Sequence, residues 1–327
     1  MPERRAHVTA DTPRRVVGWL AVALVWAAPA GAQVEVRWLG VAGFSITSGE
    51  TTLLHDPFFS RPGILATLFS WYRPDEAVLA PLVSTSGRAP ELARAAAILI
   101  GHSHYDHLGD APWIAARTGA LLVGSRTSVH VAQGYGVAAE RTRHADPGDA
   151  LRVGPFAIRV IESRHARVIL GRVPFEGEHV APVDAPIHAF SFALGDARYY
   201  LVTHEPDGLR ILITSSADRH PPALAALREE GVAVDLLLAA TQGRDADYAR
   251  DLVAALRPRL VVPHHYDAFT IPLDAEDAGA PSDPADLDAF EREIREAAEA
   301  FRVSLEVRRL GLFERMSLPA PPAGTGG

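Results

Sequence analysis

Short hydrophobic segments separated by polar turns make up most of the chain after residue 32. The first three lie at residues 34–39, 43–47 and 51–55, and glycine-containing turns separate them. None has a helical period, so they predict a β-meander. The same features predict later strands at residues 95–100, 120–123, 156–161, 189–194, 198–203, 209–214, 234–239, 260–262 and 303–308.

Amphipathic segments with helical spacing lie between many of these strands. We expect helices at residues 110–117, 125–133, 245–256 and 285–301. The turn Gly195-Asp196-Ala197 is expected to join strands 189–194 and 198–203. Strands that alternate with helices are typical of an α/β fold. With 327 residues and 48% hydrophobic content, the chain can bury one large core, and we expect a single domain.

The first 32 residues have the pattern of an export signal. Four arginines within residues 4–15 precede an apolar run at 16–28, and the small residues Ala30-Gly31-Ala32 follow. We therefore expect cleavage after Ala32 and a periplasmic or secreted mature protein, which would meet the membrane only through this segment. The run is shorter than the roughly 20 residues that span a bilayer. An uncleaved anchor and a twin-arginine signal stay open as alternatives.

Composition excludes several catalytic groups, metal ligands and partners. The chain has no cysteine and no lysine, which excludes thiolate ligands, a cysteine nucleophile and a lysine Schiff base. Residues 1–32 hold four of the 32 basic and two of the 40 acidic residues, so the mature chain has a net charge of −10. Such an acidic protein is unsuited to the phosphate backbone, so we expect no nucleic-acid partner.

A dense group of metal-ligating residues follows the predicted strand at 95–100. It contains His102, His104, Asp106 and His107 within six consecutive positions. Imidazole and carboxylate are ligands of zinc-class cations, and crowding them on one loop is costly unless a cation offsets their desolvation. The loop therefore predicts a metal site, which must be built from histidine and aspartate because cysteine is absent.

The spacing H-x-H-x-D-H, between a strand and a helix, resembles the signature of the metallo-β-lactamase superfamily. The resemblance implies an αββα sandwich of two mixed β-sheets flanked by helices, spanning residues 33–318. Ser163-Arg164-His165 resembles the third motif of the branch that contains the ascorbate-phosphate lactonase and N-acyl-phosphatidylethanolamine phospholipase D. The sequence at 263–267 resembles the last motif and selects His265 over its neighbour His264.

The resemblance also implies which residues hold metal. The implied ligands of one zinc ion are His102, His104 and His165, and those of a second are Asp106, His107 and His265. Asp56, at the end of the predicted strand 51–55, is implied to support the centre without binding metal. By itself, Asp56 before Pro57 would indicate only a turn.

One motif departs from the superfamily pattern. After the predicted strand 209–214, where the family places an aspartate that bridges two metals, this chain has Ser215-Ser216-Ala217-Asp218. Either Asp218 or His220 reaches back to the metal, or the site lacks a bridging carboxylate. The second case would weaken the second metal, because a shared anion reduces the repulsion between two cations. Both one and two zinc ions therefore stay open.

The resemblance implies a zinc hydrolase, and the predicted signal segment would export it. Three protein ligands per zinc leave room for a water whose pKa falls to about 7, and the resulting hydroxide would attack an ester, lactone or phosphodiester of a small-molecule or lipid-like substrate. Asp106, His220 and Tyr266 are candidate catalytic residues, and Arg164 is a candidate substrate clamp. The alternatives are a metal-binding member without hydrolytic activity and an iron-dependent redox member.

Two segments are expected to shape the pocket. Residues 167–186 form one, and residues 58–83, which are rich in aromatic and aliphatic side chains, form either a buried connection or a lid. Residues 319–327 are rich in Pro and Gly, and we expect a disordered tail there.

Overall fold

The computed structural model describes residues 33–282 and 284–318, so the predicted signal segment and tail lie outside the described residues. The strands are β1 Val34–Gly40, β2 Gly43–Ser48, β3 Thr51–His55, β4 Ala95–Leu99, β5 Leu121–Gly124, β6 Thr142–His144, β7 Ala150–Val153, β8 Phe156–Glu162, β9 Arg198–His204, β10 Leu209–Thr214, β11 Leu236–Ala240, β12 Leu260–His264, β13 Glu306–Val307 and β14 Arg315–Leu318. The helices are α1 Ile64–Phe69, α2 Glu76–Leu82, α3 Tyr105–Leu108, α4 Ala111–Thr118, α5 Arg126–Gly134, α6 Pro221–Glu229, α7 Tyr248–Leu256 and α8 Pro284–Phe301.

The strands form two mixed sheets of seven strands each. The first has the order β14-β1-β2-β3-β4-β5-β6, with antiparallel pairs as far as β3 and parallel pairs from β3 to β6. The second has the order β13-β12-β11-β10-β9-β8-β7, parallel from β13 to β10 and antiparallel beyond. Each sheet thus joins a meander to a set of parallel strands that require crossover connections.

Three hydrophobic cores hold four layers together. One core lies between the sheets, and the other two lie between each sheet and its helices. The central strands contribute to two cores at once, because successive side chains point to opposite faces: Leu53 of β3 joins the central core, whereas Leu54 joins the helix-covered one. Continuous apolar strands are expected where both faces of a sheet are covered. The predicted αββα sandwich is confirmed.

Most predicted elements are present, but one strand is wrong. Residues 189–194 were expected to pair with β9, whereas the structure has only a 3₁₀ turn at Ala189–Ser191. Both edges of β9 are occupied by β8 and β10, so no place is left for a hairpin partner. The side chain of His188 also caps the turn by accepting a hydrogen bond from the Phe190 amide.

Short elements were missed where the sequence pattern is brief. These include β6, β7, β14 and α6, together with α1 and α2, which divide residues 58–83. Pairing with a neighbouring strand decides the short strands: β14 has only four residues and becomes a strand by pairing with β1. No helix within the described ranges combines the length and the apolar character needed to cross a bilayer.

Candidate metal centre

Loops at one edge of the paired sheets bring the predicted ligands together. The loop after β4 carries His102 and His104, and the short helix α3 carries Asp106 and His107. His165 follows β8 in the second sheet, and His265 follows β12. Residues 63 to 163 positions apart in sequence therefore meet at the ends of strands from both sheets.

Backbone contacts determine the shape of the metal-binding loop. The amide of Gly101 donates to Asp56 Oδ1 at 2.7 Å, which ties the loop to the end of β3. A Cβ at Gly101 would lie only 2.1 Å from Cβ of Ser215, so this position requires glycine for close approach. The neighbouring Ser103 amide donates to Leu194 O. His102 and His104 are thus positioned by contacts with both sheets.

The first ligand group, His102, His104 and His165, is composed of imidazoles only, and we call it the histidine triad. Its ligand atoms lie within 4.8 Å of one another. His104 Nε2 lies 3.2 Å from Pro174 O, and His165 Nδ1 lies 2.6 Å from Ala166 O. When those nitrogens donate to the carbonyls, the other nitrogen of each ring keeps a lone pair that can bind metal.

The second group, Asp106, His107 and His265, we call the aspartate triad. Nε2 of His107 lies 3.2 Å from Nε2 of His265, and Asp106 Oδ2 lies 3.5 and 3.4 Å from these two atoms. The opposite nitrogen of His107, Nδ1, lies 2.7 Å from Asp56 Oδ2. Asp56 therefore contacts His107 from outside the triad.

These spacings fit a cation. Two ligands in a tetrahedral zinc site, each about 2.0–2.1 Å from the ion, are roughly 3.3 Å apart. The three distances within the aspartate triad, 3.2, 3.4 and 3.5 Å, lie close to that value. His102 Nε2 and His104 Nδ1 in the histidine triad are 3.1 Å apart. The donor set of five imidazoles and one carboxylate also suits zinc-class metals.

Burial keeps most of these imidazoles neutral. It lowers the pKa of His104 and His107 to about 3 and that of His165 to about 4. Burial alone would raise the pKa of Asp106, but the neighbouring imidazoles of His107 and His265 hold it below its usual range. Neutral imidazole and ionised carboxylate are the forms that bind metal, so the protein prepares its ligands at neutral pH.

Asp56 and His265 shift in the opposite direction to their neighbours. Burial raises the pKa of Asp56 to about 7, despite the proximity of His55 and the hydrogen bond from Gly101. For His265, burial lowers the pKa, but the hydrogen bond and charge of Asp106 outweigh burial and raise it. A bound cation would favour the ionised form of Asp56 and the neutral form of His265.

A cavity of about 210 Å³ opens onto both triads. Its wall includes His104 and His165 from one triad and Asp106 and His265 from the other. The segment at 167–186 contributes apolar side chains such as Phe175, whereas no residue of 58–83 lines this cavity. Of the two expected pocket-forming segments, only the later one therefore contacts the cavity.

Ser215 lies where the bridging aspartate of the superfamily was expected. Its Oγ lies 3.5 Å from His102 Nδ1 and 3.2 Å from Arg198 O, and the residue lines the cavity. Asp218 does not reach back: its Oδ1 accepts from the His220 amide, and its side chain lines a separate polar cavity together with Arg164. Asp106 is the only carboxylate among the described residues that line the metal cavity.

Two candidate catalytic residues lie away from the cavity. His220 is buried in a left-handed conformation at the start of α6, with Nε2 3.6 Å from a carboxylate oxygen of Glu162. Tyr266 packs against Trp38, and its hydroxyl donates to Leu310 O at 3.2 Å. Neither residue lines the metal cavity. Of the three candidates, only Asp106 is placed to contact a substrate there.

The sequence analysis did not predict that two buried carboxylates, Asp110 and Asp267, brace the site. Asp110 accepts hydrogen bonds from the backbone at Phe59 and from the Tyr72 hydroxyl. Asp267 pairs with the buried Arg61 at 2.7 Å and accepts from the Val41 amide. Both follow a motif histidine by two or three positions, which is the only sequence signal that could have indicated them.

The profile of the β-lactamase superfamily domain matches residues 35–265, which is most of the chain. The chain belongs to this family. The superfamily prediction is therefore confirmed, and the match includes every residue of both triads.

Relatives of known sequence carry names in accord with a metal-dependent enzyme. The UPF0173 metal-dependent hydrolase of Methanopyrus kandleri is 27% identical over 263 residues, covering 80% of this chain and 92% of the relative. That of Anaeromyxobacter dehalogenans strain 2CP-C is 29% identical over 244 residues, covering 72% and 76%. The prediction of a metal-dependent hydrolase agrees with these names.

A solved structure shares the fold at lower identity. Igni18, described as a metallo hydrolase from the archaeon Ignicoccus hospitalis, superimposes with a TM-score of 0.57 at 17% identity, covering 88% of this chain and 99% of its own. At such identity the similarity supports the αββα fold alone.

Proposed function

We propose that the protein is an exported zinc-dependent hydrolase that cleaves an ester, lactone or phosphodiester bond in a small-molecule or lipid-like substrate. The observation that supports this most directly is that two ligand triads face one cavity, with ring centroids of His102 and His107 only 3.8 Å apart. Zinc bound there would act as a Lewis acid and make hydroxide available at neutral pH.

The chain's own residues would then orient the reaction. Asp106 lies between His107 and His265 and also lines the cavity, so its ionised carboxylate is positioned to accept a proton from water or to orient that water. Asp56 holds His107 from behind and fixes which ring nitrogen faces the cavity. Gln242, at the exposed rim, can donate to a substrate carbonyl or phosphoryl oxygen.

The cavity wall favours a substrate with an apolar part. Val168, Ile169, Phe175 and Phe269 line it, while its only charged carboxylate belongs to the aspartate triad. An apolar wall with a few polar groups beside the reacting centre is typical of small-molecule sites. A lipid-like ester or lactone would bury its hydrocarbon against this wall while the triads contact the polar bond.

Two other functions remain as alternatives. The first is a metal-binding protein without hydrolytic activity, which the serine at position 215 favours because it removes the shared anion. The second is an iron-dependent redox enzyme: the diiron β-hydroxylase CmlA of Streptomyces venezuelae has a similar fold, with a TM-score of 0.54 at 16% identity, covering 89% of this chain and 55% of its own. The fold alone does not select the metal.

Metal content and hydrolysis together test the proposal. We expect one or two zinc ions per chain by elemental mass spectrometry, and zinc-dependent hydrolysis of at least one of three chromogenic probes: an ester, a lactone and a phosphodiester. His102→Ala should lose metal and nearly all activity. His144→Ala, which alters a histidine of β6 outside both triads, should lose neither. Iron with oxygen-dependent turnover, or bound zinc without hydrolysis, would contradict the proposal.

Export has a separate test. The mass of the protein isolated from its host should correspond to a chain that begins at Gln33, and the protein should fractionate with periplasmic or secreted material. An intact residue 1–32 segment in cytoplasmic fractions would contradict export while leaving the hydrolase proposal in place.

A further inference from the structure

Helix α1 and Trp71, two residues after its end, present large apolar side chains to solvent. Ile64, Leu65, Phe69 and Trp71 are 64%, 70%, 80% and 65% exposed. The helix has only six residues, and its single buried side chain is Thr67. A contiguous exposed apolar patch of this kind on a soluble domain indicates a contact surface.

A second exposed apolar group lies on the segment that lines the metal cavity. Leu170 is 97% exposed at the tip of this segment, next to Val168 and Ile169, whose side chains reach the cavity wall. We call α1 with Trp71, together with residues 168–170, the apolar face.

Ring contacts connect the two parts of the apolar face. Phe175 of the cavity wall stacks on Phe190 with centroids 4.9 Å apart, and Phe190 contacts His188 at 5.0 Å. Nε2 of His188 lies 3.1 Å from Leu68 O, and His188 forms a β-bridge with Trp71. The exposed apolar residues are therefore continuous with the wall of the metal cavity.

Exposed arginines lie on both sides of the apolar face, although the chain as a whole is acidic. Residues 62–72 contain no charged side chain and end at the exposed Arg73, and residues 163–175 contain three arginines and no acid. Arg167 and Arg172 are exposed and form no ion pair with any residue of the described ranges. Among the nearby acids, Asp75 caps α2, whereas Glu176 lines the polar cavity together with Arg167. Arg73 and Arg172 are therefore the arginines beside the apolar face that are placed to bind anionic headgroups.

We propose that the apolar face docks on a lipid bilayer that contains anionic lipids. Exposed Trp, Phe and Leu side chains insert at the boundary between headgroups and acyl chains, and flanking arginines bind anionic headgroups. A second copy of the chain is a less suitable occupant, because two such faces would bring their unpaired arginines together. The proposal does not depend on the hydrolase assignment, since it concerns binding alone.

A site-specific probe tests the docking. Because the chain has no cysteine, Leu65→Cys and Leu170→Cys each provide one attachment point for an environment-sensitive fluorophore. Ala225→Cys, exposed on α6 against the other sheet, is the matched control. With vesicles of phosphatidylcholine and phosphatidylglycerol, we expect a blue shift from positions 65 and 170 and none from 225. The site-specific signal separates this face from any binding by residues 1–32.

Charge provides the second arm of the test. Arg73→Gln and Arg172→Gln should each weaken the partitioning measured at position 65 about fivefold, and added salt should weaken it further. Arg228→Gln, on the exposed side of α6, should leave it unchanged. The proposal is overturned if neither probe shifts with vesicles, or if both shift on raising protein concentration without lipid, which would identify a second copy as the occupant.

Discussion

The two ligand triads lie side by side but are stabilised in different ways. The histidine triad contains no charged ligand, and backbone carbonyls at Pro174 and Ala166 orient two of its rings. The aspartate triad contains the only carboxylate among the described residues of the cavity wall and is backed by a second one, Asp56. Because a divalent cation gains most from nearby negative charge, we infer that the aspartate triad binds its metal more tightly. This order is the reverse of the sequence expectation, in which the missing bridging carboxylate weakens the metal held by this triad.

The loops that carry the two triads also differ in how firmly the surrounding structure holds them. The aspartate triad is braced by the buried pair of Arg61 and Asp267, and the His265 amide donates to Val41 O at 2.9 Å. The histidine triad includes the half-buried His165 on a loop that leads into the exposed segment after residue 167. Adjacent sites built from similar ligands can thus differ in affinity through the charge and rigidity of their surroundings.

Asp106→Asn should have the largest effect on this difference. It removes the only charged ligand with little change in shape, and a unit charge about 4 Å away contributes about 4 kcal/mol at an effective dielectric of 20. We expect the tighter zinc affinity to fall about a thousandfold. Zinc titration of the metal-free protein in competition with a chromophoric chelator measures this. Glu229→Gln, exposed at the end of α6, is the control, and an unchanged stronger site would contradict the inferred order.

Asp56→Asn should have an intermediate effect. Its two oxygens accept from the Gly101 amide and from His107, and an amide side chain can accept only one of these bonds. Loss of a carboxylate that supports a ligating histidine typically lowers metal affinity about 10–100-fold. The same titration should show this loss at the stronger site, with the weaker site less affected. Equal losses at both sites would mean that Asp56 supports the whole loop and not one triad.

Ser215→Asp should have the smallest effect and the opposite sign. A carboxylate at this position would face the cavity next to His102 and add the missing anion, so we expect the weaker site to bind zinc about tenfold more tightly. The gain is smaller because position 215 is fully buried, and the desolvation of a new carboxylate there offsets part of its attraction to the metal. Ser215→Asn has nearly the same shape without the charge and should give no gain. Equal behaviour of the two variants would show that charge at position 215 does not limit binding.

Local sequence signals predicted the parts of the site that lie within short stretches. His102, His104, Asp106 and His107 are recognisable together because they share one loop. His165 and His265 were assigned through their motifs at strand ends, and the structure brings both to that loop. By contrast, Asp218 and His220 were candidates for the bridging ligand because they follow the predicted strand 209–214. The backbone turn after β10 directs both away from the cavity.

The sequence pattern did not predict contacts between segments that are far apart in the chain. The pairing of Arg61 with Asp267 spans 206 positions, and nothing in either local pattern indicates it. The predicted strand at 189–194 failed for a similar reason, because its apolar pattern is satisfied by packing against aromatic side chains such as Tyr72 and Tyr135. The hydrophobic pattern predicts that a residue is buried but does not predict which neighbouring side chains bury it.

The sequence by itself determined the ligand types, the α/β alternation and the superfamily, because these depend on residue chemistry and spacing along one segment. Only the tertiary structure decided that Ser215 is the residue beside the triads, that Asp106 is the sole carboxylate that residues 33–282 and 284–318 contribute to the cavity, and that the apolar face adjoins its wall. The physical reason is that charge compensation and surface continuity depend on distances in space. Folding of two sheets against each other sets those distances, and sequence separation does not.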